Sequence, residues 1–192
     1  MGVVTIEAAV EALRGGAVVG LPTDTVYGIG VDPFQEVAMG SLFFVKGRGV
    51  DKAIPVLAAD LQAVRLVALV APELEGRLAD HWPGALTAVL PKAADAPAWV
   101  GDVATGTVAV RVPDHPLALE LLSRFGPLAV TSANESGAPP TLDDVEALAA
   151  LGNRVAVYLP GVSPGGMSST VVDLTGAKAR VLRPGPVVWE DE

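Results

Sequence analysis

The chain has no cysteine and only two histidines in 192 residues. Without cysteine there can be no disulfide framework, no thiolate nucleophile and no zinc site with cysteine ligands. His81 and His115 lie in predicted helix-end contexts without acidic neighbours at metal-ligand spacing, and both are interpreted as structural. A hydrolase with a catalytic triad is therefore not expected, and no protein side chain is assigned to a metal.

Positive charge is also scarce. Thirteen Lys and Arg stand against 22 Asp and Glu, which gives a net charge of −9. A surface of this sign opposes tight binding to a phosphate backbone, so RNA is not the default partner. Three cations nevertheless cluster in one segment, at Lys46, Arg48 and Lys52. A local site for an anion such as ATP is compatible with that cluster.

Long apolar runs are absent although 51% of the residues are hydrophobic. Charges and prolines interrupt each apolar stretch before it reaches the ~18 residues that a transmembrane helix needs. The first residues have neither a basic segment followed by an apolar core nor the Ser or Thr at position 6 of a myristoylation signal. A soluble, cytoplasmic protein with one domain over residues 1–192 is expected.

No familiar nucleotide-binding loop is found. The chain has neither the Gly-x-x-x-x-Gly-Lys-Ser/Thr phosphate loop nor a Gly-x-Gly-x-x-Gly motif after a strand. Neither of the common nucleotide-binding folds is therefore supported.

Apolar runs alternate with helical patterns along the chain. Helices are predicted over 5–14, 33–45, 60–69, 72–82 and 116–125, and from 141 onward. Strands are predicted over 16–21, 54–58, 86–90, 107–112, 128–131, 155–159, 170–174 and 179–182. This alternation predicts an α/β or mixed α+β fold built on a sheet flanked by helices.

The segment 22–30 carries a dense set of polar groups directly after the strand predicted over 16–21. Pro22 ends that strand because it has no N–H to donate. The polar side chains then follow in close succession: Thr23, Asp24, Thr25 and Tyr27. Ligands bind at this end of strands in open α/β sheets. Gly28 and Gly30 are expected to let the backbone turn or approach a ligand, and a polar turn with Asp24 as an N-cap is the alternative.

Lys46, Gly47 and Arg48 place two cations on either side of a glycine. In extended or loop backbone, side chains at i and i+2 share a face, so both cations could meet one polyanion. A solvated charged loop is the alternative. Arg111 differs because it lies within an apolar strand, where its charge needs a structural carboxylate or an anionic ligand as partner.

Hydroxyl and amide groups recur at further predicted strand ends. They are found in 131–134, in 168–170 and, within a strand, at Thr87. Together with the cations and the sequence Arg-Pro-Gly at 183–185, this repetition predicts one concave polar site.

Seven motifs in order resemble the YrdC-like family. They are Pro-Thr-Asp-Thr-x-Tyr-Gly (22–28), Lys-x-Arg (46–48), Pro-Gly-x-Leu-Thr (83–87), Val-Arg-Val-Pro-x-His-Pro (110–116), Ser-Ala-Asn-x-Ser-Gly (132–137), Ser-Thr-Val-Val-Asp (169–173) and Arg-Pro-Gly (183–185). The resemblance covers nearly the whole chain and implies the short single-domain form. It also implies the family fold, a twisted open mixed sheet flanked by helices with a concave polar cleft.

The resemblance implies an activity. Members of the family make threonylcarbamoyl-AMP from L-threonine, bicarbonate or CO₂, and ATP with Mg²⁺, and release pyrophosphate. The threonine amine is expected to attack CO₂ or bicarbonate, and the resulting N-carboxylate to attack the α-phosphate of ATP. A tRNA threonylcarbamoyl transferase would use the product for threonylcarbamoyladenosine. Direct tRNA binding by this chain is not expected, because its net charge is −9.

The resemblance also implies roles for individual residues. Thr25 and Ser169, with the backbone around Val130, would bind threonine. The residues that would bind ATP are Arg48, Lys52, Ser132 and Arg183. Lys46 lies where charge on the carbamate and the α-phosphate would develop, and with Arg48 it would be catalytic. The further candidates for the site are Thr23, Tyr27, Thr87, Arg111 and Asn134.

Three positions depart from the family pattern. Gly49 replaces the usual proline after Lys-x-Arg, Leu57 occupies the place of a histidine that contacts threonine in some members, and Pro140 that of a serine that contacts ATP.

Two other functions are compatible with the fold. One is an RNA-binding or ribosome-maturation module, and the other is a carbamoyl-transfer domain like those in hydrogenase-maturation proteins.

Overall fold

The computed structural model describes residues 4–47 and 53–190. Its centre is one mixed sheet, whose strands in chain order are β1 (Val19–Leu21), β2 (Gly28–Val31), β3 (Val56–Leu57), β4 (Leu86–Pro91), β5 (Thr107–Arg111), β6 (Leu128–Ser132), β7 (Val157–Tyr158), β8 (Thr170–Asp173) and β9 (Arg180–Arg183). Their spatial order is β7-β1-β2-β6-β3-β5-β4-β8-β9. Three neighbouring pairs, β1–β7, β3–β5 and β4–β8, are parallel, and the others are antiparallel. The predicted mixed sheet is confirmed.

Six α-helices cover the sheet within the described residues: α1 (Ile6–Arg14), α2 (Glu36–Lys46), α3 (Leu61–Val64), α4 (Pro72–Ala79), α5 (Pro116–Phe125) and α6 (Asp144–Leu151), which continues as a 3₁₀ turn over Gly152–Arg154. Side-chain caps begin several of them. Thr5 accepts from the Ala8 N–H, Asp60 from Ala63 and Asp143 from Glu146. Each cap satisfies a backbone N–H that has no partner inside its helix.

The helix predicted over 60–69 is wrong in its length. It ends after Val64, and the chain then tightens into turns in which Val67 N–H donates to Val64 O. Leu69 N–H next donates to Pro91 O, and Ala93 N–H donates to Val67 O. Backbone pairing with the chain around the end of β4 thus replaces the last helical turn, a tertiary contact that helix propensity does not describe.

Gly28 and Gly30 lie inside strand β2 and not in a turn. Gly28 also lines an open cleft over the sheet, so the other expectation, a close approach to a ligand, stays a prediction. Gly28 pairs with Leu21 on one side and Ser132 on the other. A Cβ added to Gly28 would lie 2.8 Å from Val130 Cγ1, and one added to Gly30 would lie 3.0 Å from Val130 Cγ2. The glycines therefore make room for Val130 on the neighbouring strand. A four-residue strand with two glycines has little β propensity, which is why the sequence pattern did not indicate it.

Helices cover both faces of the sheet. On one face, α1 and α5 pack over β1 and β6, in a core that includes Ile6, Leu13, Leu121, Leu21 and Leu128. On the other face, α2 and α6 pack over β2, and α3 and α4 over β4 and β5, through two further cores. Leu57 and Val130 belong to the α1 and α5 core but also line an open cleft. The cleft therefore lies on the same face as α1 and α5, over the part of the sheet that they leave uncovered.

Candidate active site

The cleft has a volume of about 390 Å³. Its apolar lining includes Leu57, Ala109, Val130 and Val171. Its polar lining consists of Thr23, Thr25, Thr87, Arg111, Thr131, Ser132, Ser168, Ser169 and Arg183. The structure therefore brings together the polar strand ends that the sequence analysis singled out separately.

Strand register aligns much of this lining in one row. Leu57 on β3 lies opposite Arg111 on β5, and Thr87 on β4 lies opposite Val171 on β8. The register that pairs Ala88 with Val110 places Thr87 beside Arg111. Because residues that face each other across neighbouring strands point to the same side of a sheet, this row faces the cleft. Arg183 on β9 extends it, since it pairs with Val171.

Arg111 lines the cleft and is only 6% exposed. Its Nε donates to Gly84 O at 2.9 Å, its Nη1 to Thr25 Oγ1 at 3.1 Å and its Nη2 to Asp24 Oδ1 at 2.6 Å. Burial lowers the pKa of Arg111, and the adjacent Asp24 carboxylate opposes that shift. Asp24 is therefore the structural counter-ion that the isolated charge in β5 required.

Thr23 and Thr25 form one hydrogen-bonded turn. Thr23 Oγ1 donates to Val26 O at 2.7 Å, accepts from Thr25 N at 3.2 Å and lies 3.1 Å from Thr25 Oγ1. The turn is also held from outside, since Thr23 N donates to Ser163 Oγ at 3.0 Å. Thr25 is thus held in a defined position from which its hydroxyl reaches the cleft.

Ser169 connects the opposite wall of the cleft. Its hydroxyl lies 2.8 Å from Thr87 Oγ1. Arg183 Nη2 donates to Ser169 O at 2.9 Å and to Ser169 Oγ at 3.1 Å, while Nε donates to the same carbonyl at 3.1 Å. Partial desolvation lowers the pKa of Arg183, although the residue as a whole is exposed. A guanidinium and two hydroxyls therefore converge at this wall.

Lys46 is the last residue of α2, and Gly47 ends the helix in the left-handed conformation with φ of 58°. Lys46 is thus helical, so the expectation of extended or loop backbone is wrong for this residue. The Lys46 ammonium is buried and donates to Ser132 O at 2.7 Å, to the Asn134 carbonyl and to Asn134 Oδ1 at 3.2 Å. Lys46 thus holds the backbone that carries Ser132. Arg48 and Lys52 lie outside the described residues, as does Gly49.

Asn134 organises the loop that follows β6. Its side-chain Nδ2 donates to Glu135 O at 2.9 Å and to Ala138 O at 2.6 Å, while its Oδ1 accepts from Lys46. Asn134 is buried and does not line the cleft. Its side chain therefore supports the wall that carries Ser132.

Tyr27 points away from the cleft. It is fully buried in the core under α2, and its hydroxyl donates to Leu159 O at 2.7 Å. Burial, with the nearby Asp144 charge, raises the pKa of Tyr27. Tyr27 is therefore not among the residues that line the cleft, and its hydroxyl has a structural partner instead.

Two of the three departures from the family pattern lie in the described residues. Leu57 lines the cleft and also packs in the core with α1 and α5, so an apolar side chain stands at the position for which the resemblance implies a histidine in some members. Pro140 is exposed and does not line the cleft.

The charge of the cleft differs in sign from that of the whole chain. Of the described residues that line it, Arg111 and Arg183 are charged and none is Asp or Glu. Within 4–47 and 53–190, no group of three His, Asp or Glu side chains could hold a metal ion. Neither His81 nor His115 lines the cleft. These features suit the binding and positioning of anions, without a nucleophile activated by a neighbouring base.

Two contacts of the site were missed by the analysis of sequence alone. Ser163, 1% exposed, holds the Thr23 turn from 140 residues away. Gly84 offers its carbonyl to Arg111 and has no room for a side chain, since an added Cβ would lie 2.6 Å from His81 O. Local patterns carry no signal for Ser163. For Gly84, the motif at 83–87 was the available hint.

Comparison with known proteins identifies the family. A profile of the Sua5_yciO_yrdC family, described as telomere recombination, matches residues 11–185. The chain belongs to the Sua5/YciO/YrdC family. This agrees with the resemblance drawn from the seven motifs.

Similar proteins of the Sua5/YciO/YrdC family carry a common name. A protein of Mycobacterium tuberculosis (strain CDC 1551 / Oshkosh), provisionally named a threonylcarbamoyl-AMP synthase, is 47% identical over 96% of this chain and 86% of its own length. The threonylcarbamoyl-AMP synthase of Vibrio cholerae (strain ATCC 39541 / Classical Ogawa 395 / O395) is 41% identical over 83% of this chain and 87% of its own.

A solved structure of the same family shares the architecture. The crystal structure of Pyrococcus abyssi Sua5 in complex with L-threonine superposes with a TM-score of 0.86 and 36% identity over 94% of this chain. The match covers 54% of the P. abyssi protein. This chain therefore spans little more than half the length of that relative.

No helix within 4–47 and 53–190 is long and apolar enough to cross a membrane.

Proposed function

We propose that this protein is a threonylcarbamoyl-AMP synthase, which forms threonylcarbamoyl-AMP and pyrophosphate from L-threonine, bicarbonate or CO₂, and ATP. The observation that carries the proposal is the cleft in which Arg111 and Arg183 converge with the hydroxyls of Thr25, Thr87 and Ser169. Family relatives that bear this enzyme's name, and one solved with L-threonine bound, support the assignment.

The proposed threonine site lies between the Thr25 turn and Ser169. Threonine presents an ammonium, a carboxylate and a hydroxyl, and several small donors and acceptors are needed to distinguish it from other amino acids. Thr25 and Ser169 offer hydroxyls, Arg111 offers a guanidinium, and the end of β6 around Val130 offers backbone groups. Leu57 and Val130 supply apolar surface for the methyl group.

The proposed ATP site lies at the Ser132 and Arg183 end of the cleft. An arginine fork matches the geometry of phosphate oxygens, and the Ser132 hydroxyl can donate to one of them. Arg48 and Lys52, outside the described residues, remain predicted ligands of the phosphates. Mg²⁺ is proposed to enter with the nucleotide, because no carboxylate of the described residues lines the cleft. When bound, it would neutralise charge on the phosphates.

The proposed reaction has two steps. The threonine amine attacks bicarbonate or CO₂, which yields the carbamate, with loss of water in the case of bicarbonate and of a proton in the case of CO₂. A carbamate oxygen then attacks the α-phosphorus of ATP, the bond to the β,γ-phosphates breaks, and pyrophosphate leaves with the electron pair. Both steps depend on positioning of the reactants and on neutralisation of oxyanions. Arg111 and Arg183 are proposed to supply these two effects.

Lys46 is proposed to act mainly as a positioning residue. Its ammonium holds the carbonyls of Ser132 and Asn134, so it fixes the strand end from which Ser132 reaches the cleft. A direct contact of Lys46 with the carbamate and the α-phosphate remains a prediction.

The product is proposed to pass to a tRNA threonylcarbamoyl transferase, because a mixed anhydride of a carbamate and AMP is a reactive acyl donor that needs an acceptor enzyme. The reaction is proposed to take place in the cytoplasm, where ATP and tRNA are found.

The test is release of pyrophosphate by the purified protein with L-threonine, bicarbonate, ATP and Mg²⁺. Release should require all of them, and ¹⁴C from bicarbonate should enter a product that also contains AMP. Ser169→Ala should raise the KM for threonine roughly tenfold, as expected for the loss of one hydrogen bond to the ligand. Ser123→Ala, on the exposed side of α5, is the matched control and should leave that KM unchanged. Pyrophosphate release that is independent of threonine would overturn the proposal.

A further inference from the structure

Residues 184–190, called here the tail strap, run from β9 back across β8. Gly185 packs directly on the backbone of 168–170, where an added Cβ would lie 2.3 Å from Thr170 N and 2.5 Å from Ser168 O. Thr170 Oγ1 donates to Val187 O at 2.7 Å and accepts from Val187 N at 3.0 Å. The tail strap is therefore bonded to the residue that follows Ser169 in the cleft wall.

The far end of the tail strap is anchored on the opposite face of the sheet. Trp189 is 9% exposed and belongs to the core that contains Leu78 and Trp82. The guanidinium carbon of Arg77, on α4, lies 4.3 Å from the centre of the Trp189 ring, and Arg77 also donates to the Glu190 carbonyl. Apolar burial and a cation–π contact both hold this end.

The strand that carries Arg183 has little burial of its own. All four residues of β9 are exposed, and β9 lies at the edge of the sheet, paired with β8 through a register that shifts between Val171 and Val172. Arg183 lies at the end of β9, immediately before the tail strap. The pairing of β9 with β8 is therefore joined by the anchoring of the tail strap, which follows Arg183 directly, in holding Arg183 against Ser169.

We propose that Thr170 and Trp189 are positioning residues that hold Ser169 and Arg183 in their binding geometry through the tail strap. The identity of the ligands, threonine and ATP, rests on the proposed function. Loosening the tail strap leaves the side chains of the cleft chemically intact but less ordered. Affinity then falls because ligand binding must order them.

Loosening the tail strap should change KM rather than kcat. Ser169 and Arg183 contact bound substrate in the ground state and in the transition state alike, so their disorder raises KM and changes kcat little. Thr170→Val keeps the shape of the side chain and removes both hydrogen bonds to Val187. It should raise the KM for threonine and for ATP about tenfold, with a change in kcat below about threefold.

Matched variants separate positioning from a general loss of stability. Thr170→Ser keeps the hydroxyl and should restore KM to nearly the wild-type value. Tyr158 lies on β7, at the opposite edge of the sheet, and its hydroxyl donates to Gly152 O at 2.7 Å. Tyr158→Phe removes this hydrogen bond and should leave KM unchanged. Trp189→Ala removes the far anchor and should repeat the effect of Thr170→Val. Wild-type KM values in Thr170→Val and Trp189→Ala, with both proteins folded, would overturn the proposal.

Hydrogen exchange without substrate tests the tail strap independently of the reaction. Peptides that cover 165–171 should exchange about tenfold faster in Thr170→Val than in the wild type, because local opening costs less there. They should exchange at the wild-type rate in Tyr158→Phe. Equal exchange in Thr170→Val and the wild type would contradict the positioning role. If the wild-type protein released no pyrophosphate while this contrast in exchange was seen, the proposed function would fail and the positioning role would stand.

Discussion

At the scale of single residues, the cleft depends on a buried ion pair. The side chains of Arg111 and Asp24 are 7% and 16% exposed, and the two residues are 87 positions apart in the chain. Taking a guanidinium out of water costs several kcal/mol, which its carboxylate and two further acceptors offset. Asp24 therefore serves the site through Arg111, and the reason for a charge inside the apolar strand β5 is structural as well as functional.

Removing the counter-ion should be costly. Asp24→Asn leaves the Arg111 charge buried without its carboxylate, and we expect the free energy of unfolding to fall by about 3 kcal/mol. Glu75→Gln is the matched control, because it breaks the ion pair with Arg65, in which both side chains are over 40% exposed. That change should cost less than about 1 kcal/mol. Urea titrations of the three proteins measure both values, and equal losses would contradict the assignment.

Gly28 should not tolerate a side chain. Gly28→Ala would place its Cβ 2.8 Å from Val130 Cγ1, so Val130 must shift within the sheet. We expect a loss of about 1–3 kcal/mol in the free energy of unfolding. Gly40→Ala on α2, where an added Cβ meets nothing within 4 Å, should instead stabilise the protein by up to about 1 kcal/mol.

A double mutant locates the conflict at Gly28. The double variant Gly28→Ala with Val130→Ala no longer has the clash. Its loss in the free energy of unfolding should therefore be smaller than the sum of the losses in the two single variants. Simple additivity in urea titrations would show that the strain lies elsewhere.

At the scale of elements, the edge hairpin of β8 and β9 is closed by one carboxylate. Asp173 Oδ1 accepts from Thr175 Oγ1 at 2.6 Å and from Thr175 N at 3.1 Å, and Oδ2 accepts from Arg180 at 3.1 Å. The hydroxyl and the N–H of Thr175, with a smaller contribution from Arg180, lower the pKa of Asp173 below its ordinary value of 3.8. The turn that precedes Arg183 is therefore stabilised by an ionised side chain.

The sign of the pH dependence follows from that shift. Because the folded pKa of Asp173 is the lower one, its contribution to stability is present above the unfolded pKa of 3.8 and is lost as the pH falls through the folded pKa. Between pH 5 and pH 3, the wild type should therefore lose more stability than Asp173→Asn. Urea unfolding at both pH values measures the difference. A larger loss in Asp173→Asn would contradict the assignment.

At the same scale, local signals described an element well only where its own residues decide its conformation. The Thr5 cap placed the start of α1 correctly, because a cap acts within one helical turn. The helix expected from residue 141 onward begins three residues later, at Asp144. Strand β2 was not predicted, because only Val130 on the neighbouring strand explains why two of its residues are glycines. The predicted helix over 60–69 ran on past Val64 because pairing with the chain beyond β4 is not visible in its own sequence.

At the scale of the whole molecule, the charge of the chain and the charge of the cleft oppose each other. A chain of net charge −9 presents a cleft whose charged lining, among the described residues, is Arg111 and Arg183. Small anions can enter such a cleft, whereas a long polyanion must also approach the acidic surface.

Discrimination between small and large anions is therefore expected. ATP should raise the melting temperature of the protein, and Arg183→Gln should reduce that shift because one guanidinium is lost from the cleft. A short RNA duplex at about 150 mM salt should give no retardation in a gel. Retardation that weakens steeply with added salt would instead favour the RNA-binding alternative.

The sequence alone determined where α1, α4 and α5 begin, the alternation of strands and helices, and the motifs that place the chain in its family. These are properties of neighbouring residues or of ordered motifs, so they do not depend on how distant parts of the chain pack. Which hydroxyls face the cleft was decided only by the tertiary structure. Thr25 reaches it and Tyr27 does not, because the register of β2 against β1 and β6 turns Tyr27 into the core. Arg111 and Asp24 are likewise 87 residues apart in the chain, Ser169 and Thr87 are 82 apart, and Lys46 and Asn134 are 88 apart, and only the packed sheet brings each pair together.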